Sequence, residues 1–232
     1  MGIKIFADGA RLDDMLDLYK SGRVQGFTTN PTLMRQAGLS DYEGFARSVL
    51  AKIKDLPISF EVFADDISTM GIQARKIASW GDNVYVKIPV SNTKGEVTTG
   101  LVRELSASGI KLNVTAILTL EQVTAVVEAL APQTPAVVSV FAGRIADTGV
   151  DPVPVMKEAL RICQTRPKAE LLWASPREVL NVYQADAIGC HIITVTTDVT
   201  KKMALKGKNL SEYSLETVKM FYNDAVQAGF TL

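Results

Sequence analysis

Cysteine and histidine are nearly absent from this chain, which holds only Cys163, Cys190 and the single histidine His191. The cysteines lack metal or redox spacing. One histidine rules out a histidine-rich zinc site, which argues against a metal-dependent aldolase. Lying in an apolar strand, His191 reads as a satisfied core histidine rather than a ligand. An excess of charge is missing too: Lys plus Arg (25) balances Asp plus Glu (25), so nothing points to nucleic acid or an anionic membrane as partner. No uninterrupted apolar run approaches membrane-spanning length, and Met1 to Phe6 is too short an apolar run for a signal peptide. A reducing cytoplasm is the expected location and a small molecule the expected partner. Internal linkers, low-complexity tracts and charge blocks are also absent.

What is present fits a full-sized core: 232 residues, 47% hydrophobic and 22% charged. Apolar strand-like runs alternate with helix-period segments from one end to the other. The strands are expected at Ile3 to Asp8, Gly26 to Asn30, Ile58 to Phe63, Asn83 to Val90, Lys111 to Ile117, Ala136 to Ala142, Glu170 to Ser175 and Cys190 to Thr196. Amphipathic stretches lie around 11–20, 41–54, 67–80, 96–108, 119–130, 152–164, 176–185 and 198–205. Strict alternation implies a parallel sheet, and eight repeats close it into an α/β (β/α)8 TIM barrel. An open doubly wound sheet is the other candidate, but no glycine-rich dinucleotide turn follows the first strand. Thr119 with Gln122 and Ser175 with Glu178 have capping-box spacing, and Pro152 and Pro176 suit first helical positions. Leu210 to Gly229 forms an additional C-terminal helix, with Leu215, Val218, Phe221, Tyr222 and Val226 at helical spacing. The domain expectation is therefore one barrel over 1–232 with 209–232 as a helical extension. The extra apolar stripe needs a surface to cover, across a barrel end or on a neighbouring subunit.

Asn83 to Val90 reads as a strand buried on both faces, with Lys87 out of place near its C-terminal end. Isolated burial of an ammonium is costly enough that such a group tends to lose its proton, and a neutral, desolvated lysine attacks carbonyls to give a Schiff base. Alone, such a lysine is more commonly a snorkelling or edge residue. Its surroundings change the reading. Residues an even number apart share one side of a strand, and polar residues interrupt the apolar pattern near nearly every strand end: Asp8, Thr28 with Asn30, Glu61, Lys87, Asn113 with Thr115, Ser139, Ser175 and Thr196. Outward positions must meet helices, and Ile5, Ala7, Val84, Val86, Val114, Val138, Val140 and Val195 suit that. The polar set is thus expected to face the axis at the C-terminal mouth, where barrel active sites lie. Asp8 and Asn30 could each be a helix cap, and Glu61 a structural partner for Lys87. Together, such groups in one interior are destabilising unless they perform chemistry. Arg144 and Arg177 follow the sixth and seventh strands and suit an anionic substrate.

Those residues carry a family resemblance. Thr28-Thr29-Asn30-Pro31-Thr32-Leu33, Val86-Lys87-Ile88-Pro89, Asn113-Val114-Thr115 and Ser139-Val140-Phe141-Ala142-Gly143-Arg144-Ile145 resemble the strand signatures of short transaldolases, whose relatives include the fructose-6-phosphate aldolases. The resemblance covers essentially the whole chain. It implies a class I transaldolase without a cofactor or metal, moving a dihydroxyacetone unit from a ketose phosphate, fructose 6-phosphate or sedoheptulose 7-phosphate, to an aldose phosphate. It implies that Lys87 forms the imine and Asp8 exchanges the hydroxyl proton, with Glu61 and Thr115 holding a proton-shuttling water. It further implies that Asn30, Asn113 and Ser139 bind the three-carbon unit with Thr28 and Phe141 beside it, and that Arg144, Ser175 and Arg177 hold the terminal anion. Aldolase relatives place Gln at position 61 and Tyr at position 141; Glu61 and Phe141 favour transfer over the alternative, aldolase-type cleavage. The chain departs from the family pattern at Ala7-Asp8-Gly9 and at Pro176. The second departure leaves room for a sulfonated ketose, 6-deoxy-6-sulfofructose. A barrel that only binds a sugar phosphate, as a sensor, is the reading from a different class. A homo-oligomer, a pentamer or decamer, is also implied.

Overall fold

The computed structural model describes residues 2–231. Eight parallel strands close into a barrel in chain order: β1 (Lys4–Asp8), β2 (Gly26–Thr28), β3 (Ile58–Glu61), β4 (Val84–Pro89), β5 (Leu112–Ile117), β6 (Ala136–Val140), β7 (Ala169–Trp173) and β8 (Ile192–Val195). Helices α1 (Leu12–Lys20), α2 (Pro31–Gln36), α3 (Tyr42–Lys52), α4 (Ile67–Ala78), α5 (Thr99–Ala107) and α6 (Leu120–Ala129) alternate with the first six strands. The others are α7 (Ala142–Asp147), α8 (Pro152–Cys163), α9 (Leu180–Ala187), α10 (Thr197–Lys202) and α11 (Leu210–Gln227). The (β/α)8 class and its additional terminal helix are therefore as the sequence indicates.

Two kinds of side chain face away from the axis and inward. Outward residues such as Phe27, Ile58, Phe60, Val86, Val114, Val138, Leu171 and Ile193 are fully buried under helices, each burial contributing about 1.5–3 kcal/mol. Inside, Phe6, Val137, Leu172, Ala174 and Ile192 form an apolar plug, with Tyr85 and Phe141 packed against it. The remaining interior is polar. Strand register sets Asp8 beside Thr28, Thr28 beside Ser59, Glu61 beside Lys87 and Lys87 beside Asn113.

Several strands end earlier than their apolar runs do. The strand expected to reach Asn30 stops at Thr28, because Asn30 turns to cap α2, its side chain accepting from the Leu33 N–H at 2.9 Å with Pro31 opening the helix. The run expected to reach Ala142 stops at Val140, where the chain enters α7. Both short helices have six residues, too few for a periodic apolar pattern to stand out.

The capping box at Thr119 and Gln122 forms as its spacing indicates, with the Gln122 N–H on Thr119 Oγ1 at 3.3 Å and the Thr119 N–H on Gln122 Oε1 at 3.1 Å. Asp151 accepts from the Val153 N–H at 2.9 Å, with Pro152 at the first turn. The matching expectation at Ser175 and Pro176 is overturned. Ser175 has φ 60°, a left-handed conformation instead of the extended one that a cap residue takes. The helix starts at Leu180, and Asn181 reaches back instead, its Oδ1 accepting from the N–H groups of Arg177 (2.8 Å) and Glu178 (3.2 Å). Nor is Ser175 an inward strand residue: β7 ends at Trp173, and Ala174 is the one in the interior plug.

His191 is hydrogen-bonded as anticipated but is not a core residue: it is half-buried just before β8, lining a cavity with Lys4 and Glu170. Its Nδ1 accepts from the Leu171 N–H at 2.9 Å, and burial pushes its pKa down. Both cysteines are buried and free, and burial pushes each thiol up to about 12.

The described residues fall into two units, one running to Thr200 and one from Lys201 onward. The second contains α11, capped by Asn209, whose side chain accepts from the Ser211 and Glu212 N–H groups at 2.9 and 3.1 Å. No residue of α11 is buried, and Leu215, Val218, Phe221, Tyr222 and Val226 are exposed. Among the described residues, no helix is long and apolar enough to cross a membrane.

Candidate active site

Lys87 lies in the interior of the barrel with 8% of its surface exposed. Its Nζ sits 3.2 Å from Glu61 Oε2 and donates to the Thr29 carbonyl at 3.0 Å. The amine is therefore not isolated, as the apolar run around it implied; β3 brings it a carboxylate and the turn after β2 brings a carbonyl. Glu61 is raised above the ordinary carboxylate value, burial outweighing the attraction of Lys87, with the charge of Asp8 adding to the rise. Asp8 is raised as well, again by burial against the opposing pull of Lys87 and two hydrogen bonds. Two carboxyls shifted toward neutrality around one amine are groups suited to moving protons.

Asp8 is held at both oxygens. Thr28 Oγ1 donates to Oδ1 at 3.0 Å, and Asn30 Nδ2 donates to Oδ2 at 2.9 Å. Thr28 Oγ1 also meets Thr194 Oγ1 at 2.6 Å. A hydroxyl has one proton, so while Thr28 gives its own to ionised Asp8, Thr194 must be the donor to Thr28. Asn30 thus both caps α2 and orients Asp8.

On the other side of Lys87, Asn113 Nδ2 donates to Ser59 Oγ at 2.9 Å and Ser139 Oγ donates to Asn113 Oδ1 at 2.6 Å. All three residues are buried. Thr115, two residues further along β5, is 2% exposed, and its hydroxyl has no hydrogen-bond partner among the described residues. A buried hydroxyl without a protein partner costs about 1–3 kcal/mol. The β5–β6 register shifts between Val114 and Ile117, and Ala116 takes φ 62°. This bulge follows Thr115 directly.

At the mouth, Gly143 passes so close to the Ser175 carbonyl that any Cβ there would overlap it. Arg177 Nη1 donates to Ser175 O and Oγ at 3.0 and 2.9 Å, Nε donates to Asp147 Oδ1 at 2.8 Å, and Nη2 closes the fork on Asp147 Oδ2. The Arg177 guanidinium in turn holds the Asp147 carboxyl below the usual range, and the charge of Arg144 adds to this. Arg144 is exposed, with its guanidinium 5.6 Å from the Phe141 ring centre. Ser175 and Arg177 are thus brought together as expected, but most of the fork of Arg177 is already engaged.

Ser59, Thr194, Tyr42 and Asp147 belong to this constellation and were not singled out by sequence. Ser59 and Thr194 share the inward parity of Glu61 and Thr196, and Asp147 follows Arg144 at helical i,i+3 spacing, so those signals existed. Tyr42 had none, since its contact is made by a helix residue to another strand's backbone.

A cavity of about 370 Å³ opens beside Asp8, lined also by Arg11, Met15, Leu33 and Thr196. A cavity of about 410 Å³ opens at the opposite end among Lys4, Tyr85, Lys111 and Glu170. There Lys4 pairs with Glu170 at 2.7 Å and Lys111 donates to the backbone carbonyl of Asp82 at 2.6 Å. Of these two cavities the first is the one that reaches Asp8, and Lys87 lines neither. Among the described residues, no group of three or more His, Cys, Asp or Glu side chains could hold a metal ion.

Comparison with known proteins identifies the family. The model of the transaldolase/fructose-6-phosphate aldolase family matches residues 5–232. A probable transaldolase of Dehalococcoides mccartyi is 34% identical over 202 residues, covering 87% of this chain and 90% of that one. A probable transaldolase of Streptococcus equi subsp. zooepidemicus is 35% identical over 202 residues, with 87% and 90% covered. Among solved structures, 3-keto-L-gulonate-6-phosphate decarboxylase from Vibrio cholerae superposes with a TM-score of 0.58 at 12% identity, covering 84% of this chain and 89% of that one, a likeness that bears on the fold alone. With the family model spanning nearly its whole length, the chain belongs to the transaldolase/fructose-6-phosphate aldolase family.

Proposed function

We propose that the protein transfers a dihydroxyacetone unit from a ketose phosphate to an aldose phosphate through a Schiff base on Lys87. The observation that carries this reading is the amine itself, buried beside Glu61 and within the field of Asp8. Lys87 Nζ adds to the ketose carbonyl, and the resulting hydroxyl leaves as water with a proton relayed through Glu61 and a water held near the free Thr115 hydroxyl. The carbon–carbon bond beyond the imine then breaks, its electrons entering the protonated imine to give an enamine, while Asp8 takes the proton of the neighbouring hydroxyl. The first aldehyde departs. An acceptor aldehyde meets the enamine carbon, Asp8 returns the proton to its oxygen, and hydrolysis frees the amine. Asn113 and Ser139 face the three-carbon unit. Phe141 offers no acidic proton to the enamine, which favours its survival until the acceptor arrives.

Borohydride added with donor is expected to trap a covalent adduct on the wild type and none on Lys87→Met. Labelling that persists in the variant would remove Lys87 as nucleophile.

One observation favours a second reading of the anion. Asp147 pairs with Arg177 and lies in the field of Arg144, so the two arginines offer less net positive charge than they would alone, a better match for a singly charged sulfonate such as 6-deoxy-6-sulfofructose than for a doubly charged phosphate. Comparing kcat/KM for phosphorylated and sulfonated ketoses decides between them.

We further propose a homo-oligomer, supported by the exposed apolar face of α11. The pentamer or decamer implied by the resemblance would appear in light scattering, whereas a monomer at micromolar concentration removes the proposal.

A further inference from the structure

Parallel strands bond alternately to either neighbour, and β3 follows this rule until its partner is used up. Ile58 and Val62 direct their N–H groups to the β4 side, onto the carbonyls of Asn83 (3.0 Å) and Lys87 (3.1 Å). Ser59 faces β2 and accepts from the Thr29 N–H at 3.1 Å. Glu61, two residues on, must face β2 as well, but β2 has ended at Thr28 and the chain has left through the Asn30 cap. Its N–H and C=O are strong groups that need partners inside the protein. The hydroxyl of Tyr42 supplies both: it accepts from the Glu61 N–H at 2.7 Å and donates to the Glu61 carbonyl at 3.1 Å. A single phenol thus replaces the missing strand.

Tyr42 is itself immobilised. It opens α3 directly after Asp41, whose side chain caps the helix through the Gly44 N–H at 2.9 Å. Its ring packs edge-on against Phe63 (4.5 Å between centres), Trp80 (5.7 Å) and Phe60 (6.2 Å). Burial pushes the phenol up, with the side chain of Thr29 beside it, so the proton that it donates stays in place. The two residues next to this hydroxyl are those that hold the amine: Glu61 through its carboxylate and Thr29 through its carbonyl.

We propose that Tyr42 is a positioning residue for the Lys87 amine, its hydroxyl fixing the strand end from which Glu61 reaches Nζ. This rests on the Schiff-base reading above. Loss of the hydroxyl frees the Glu61 backbone while leaving the ring cluster filled, and Glu61 loses register with Lys87 during imine formation. A displacement of even about 1 Å in a reacting group can cost on the order of a hundredfold in rate.

The test is the rate of borohydride trapping with donor, with the donor KM measured alongside. Tyr42→Phe is expected to trap about tenfold to a hundredfold more slowly than wild type, with the donor KM unchanged. A merely structural tyrosine would move KM and thermal stability without this selective loss. Because Tyr42 acts through Glu61, adding Tyr42→Phe to Glu61→Gln is expected to slow trapping little further. Wild-type trapping rates in Tyr42→Phe, or full multiplicative slowing in the Glu61→Gln background, overturn the inference and leave the Schiff base intact. A wild type that traps nothing removes the Schiff-base reading and this inference with it. Should Tyr42→Phe not fold, Trp80→Phe loosens the ring cluster and keeps the hydroxyl; it is expected to slow the same step, and unaltered trapping there overturns the inference.

Discussion

Asp8 lies at the end of a hydroxyl chain from Thr194 through Thr28, and burial holds it nearer to neutrality than a surface aspartate. A carboxyl raised in the folded state favours the native fold in acid, below the unfolded value of about 3.9, and loses that contribution as pH rises through the folded value. Asp8→Asn is therefore expected to raise the neutral-pH unfolding midpoint, the two melting curves converging as pH falls. The new amide can keep both contacts if Thr28 turns its lone pair toward it. Activity is expected to fall about a hundredfold or more with loss of the base; a variant that is both active and no more stable contradicts the assignment. Thr28→Val removes a bond that lowers Asp8, so the acid limb of kcat/KM is expected to move to higher pH, and an unmoved limb argues against Asp8 as the titrating group. Asp147→Asn leaves Arg177 uncompensated and is expected to raise the preference for phosphorylated over sulfonated ketoses severalfold in a competition assay. At this scale the sequence revealed Lys87, Asp8, Glu61 and Asn113 because a polar residue is conspicuous on a buried strand. It hid Asp147 and Tyr42, which act from helices where polar residues are ordinary.

Between elements, the departures from ideal geometry cluster at the strand ends that build the site. The non-glycine residues of positive φ among the described residues, Ala116 and Ser175, follow Thr115 on β5 and Trp173 at the end of β7. Such strain costs about 1–3 kcal/mol at each position and persists where surrounding structure enforces it. For Ser175 the enforcing contact is the backbone of Gly143. Gly143→Ala must push α7 and the β7 turn apart, with an expected destabilisation of about 2 kcal/mol or more. The KM for anion-bearing substrate is expected to rise more than kcat falls; calorimetry and steady-state kinetics check both. Strand order and the long helices were legible because period-two and period-3.6 patterns persist over many residues. The short α2 and α7 and the Ser175 turn were not, because six residues or one left-handed residue leave too little pattern. Asn30-Pro31 did announce α2, as a cap followed by a first-turn proline, although the apolar run preceding it read as continuing strand.

At the scale of the whole molecule, a balanced charge and a closed sheet leave few features on the outside that call for explanation, and the apolar face of α11 is the principal one. The sealed thiols of Cys163 and Cys190 bear on how that face can be studied. With both sulfurs buried and disinclined to ionise, maleimide dyes are expected to find little background target in the native protein. One cysteine introduced on the polar side of α11 then becomes the sole handle for a fluorophore. Energy transfer between differently dyed batches, once mixed, then reports whether copies of the chain associate at all: a rising signal is expected of an oligomer and none of a monomer.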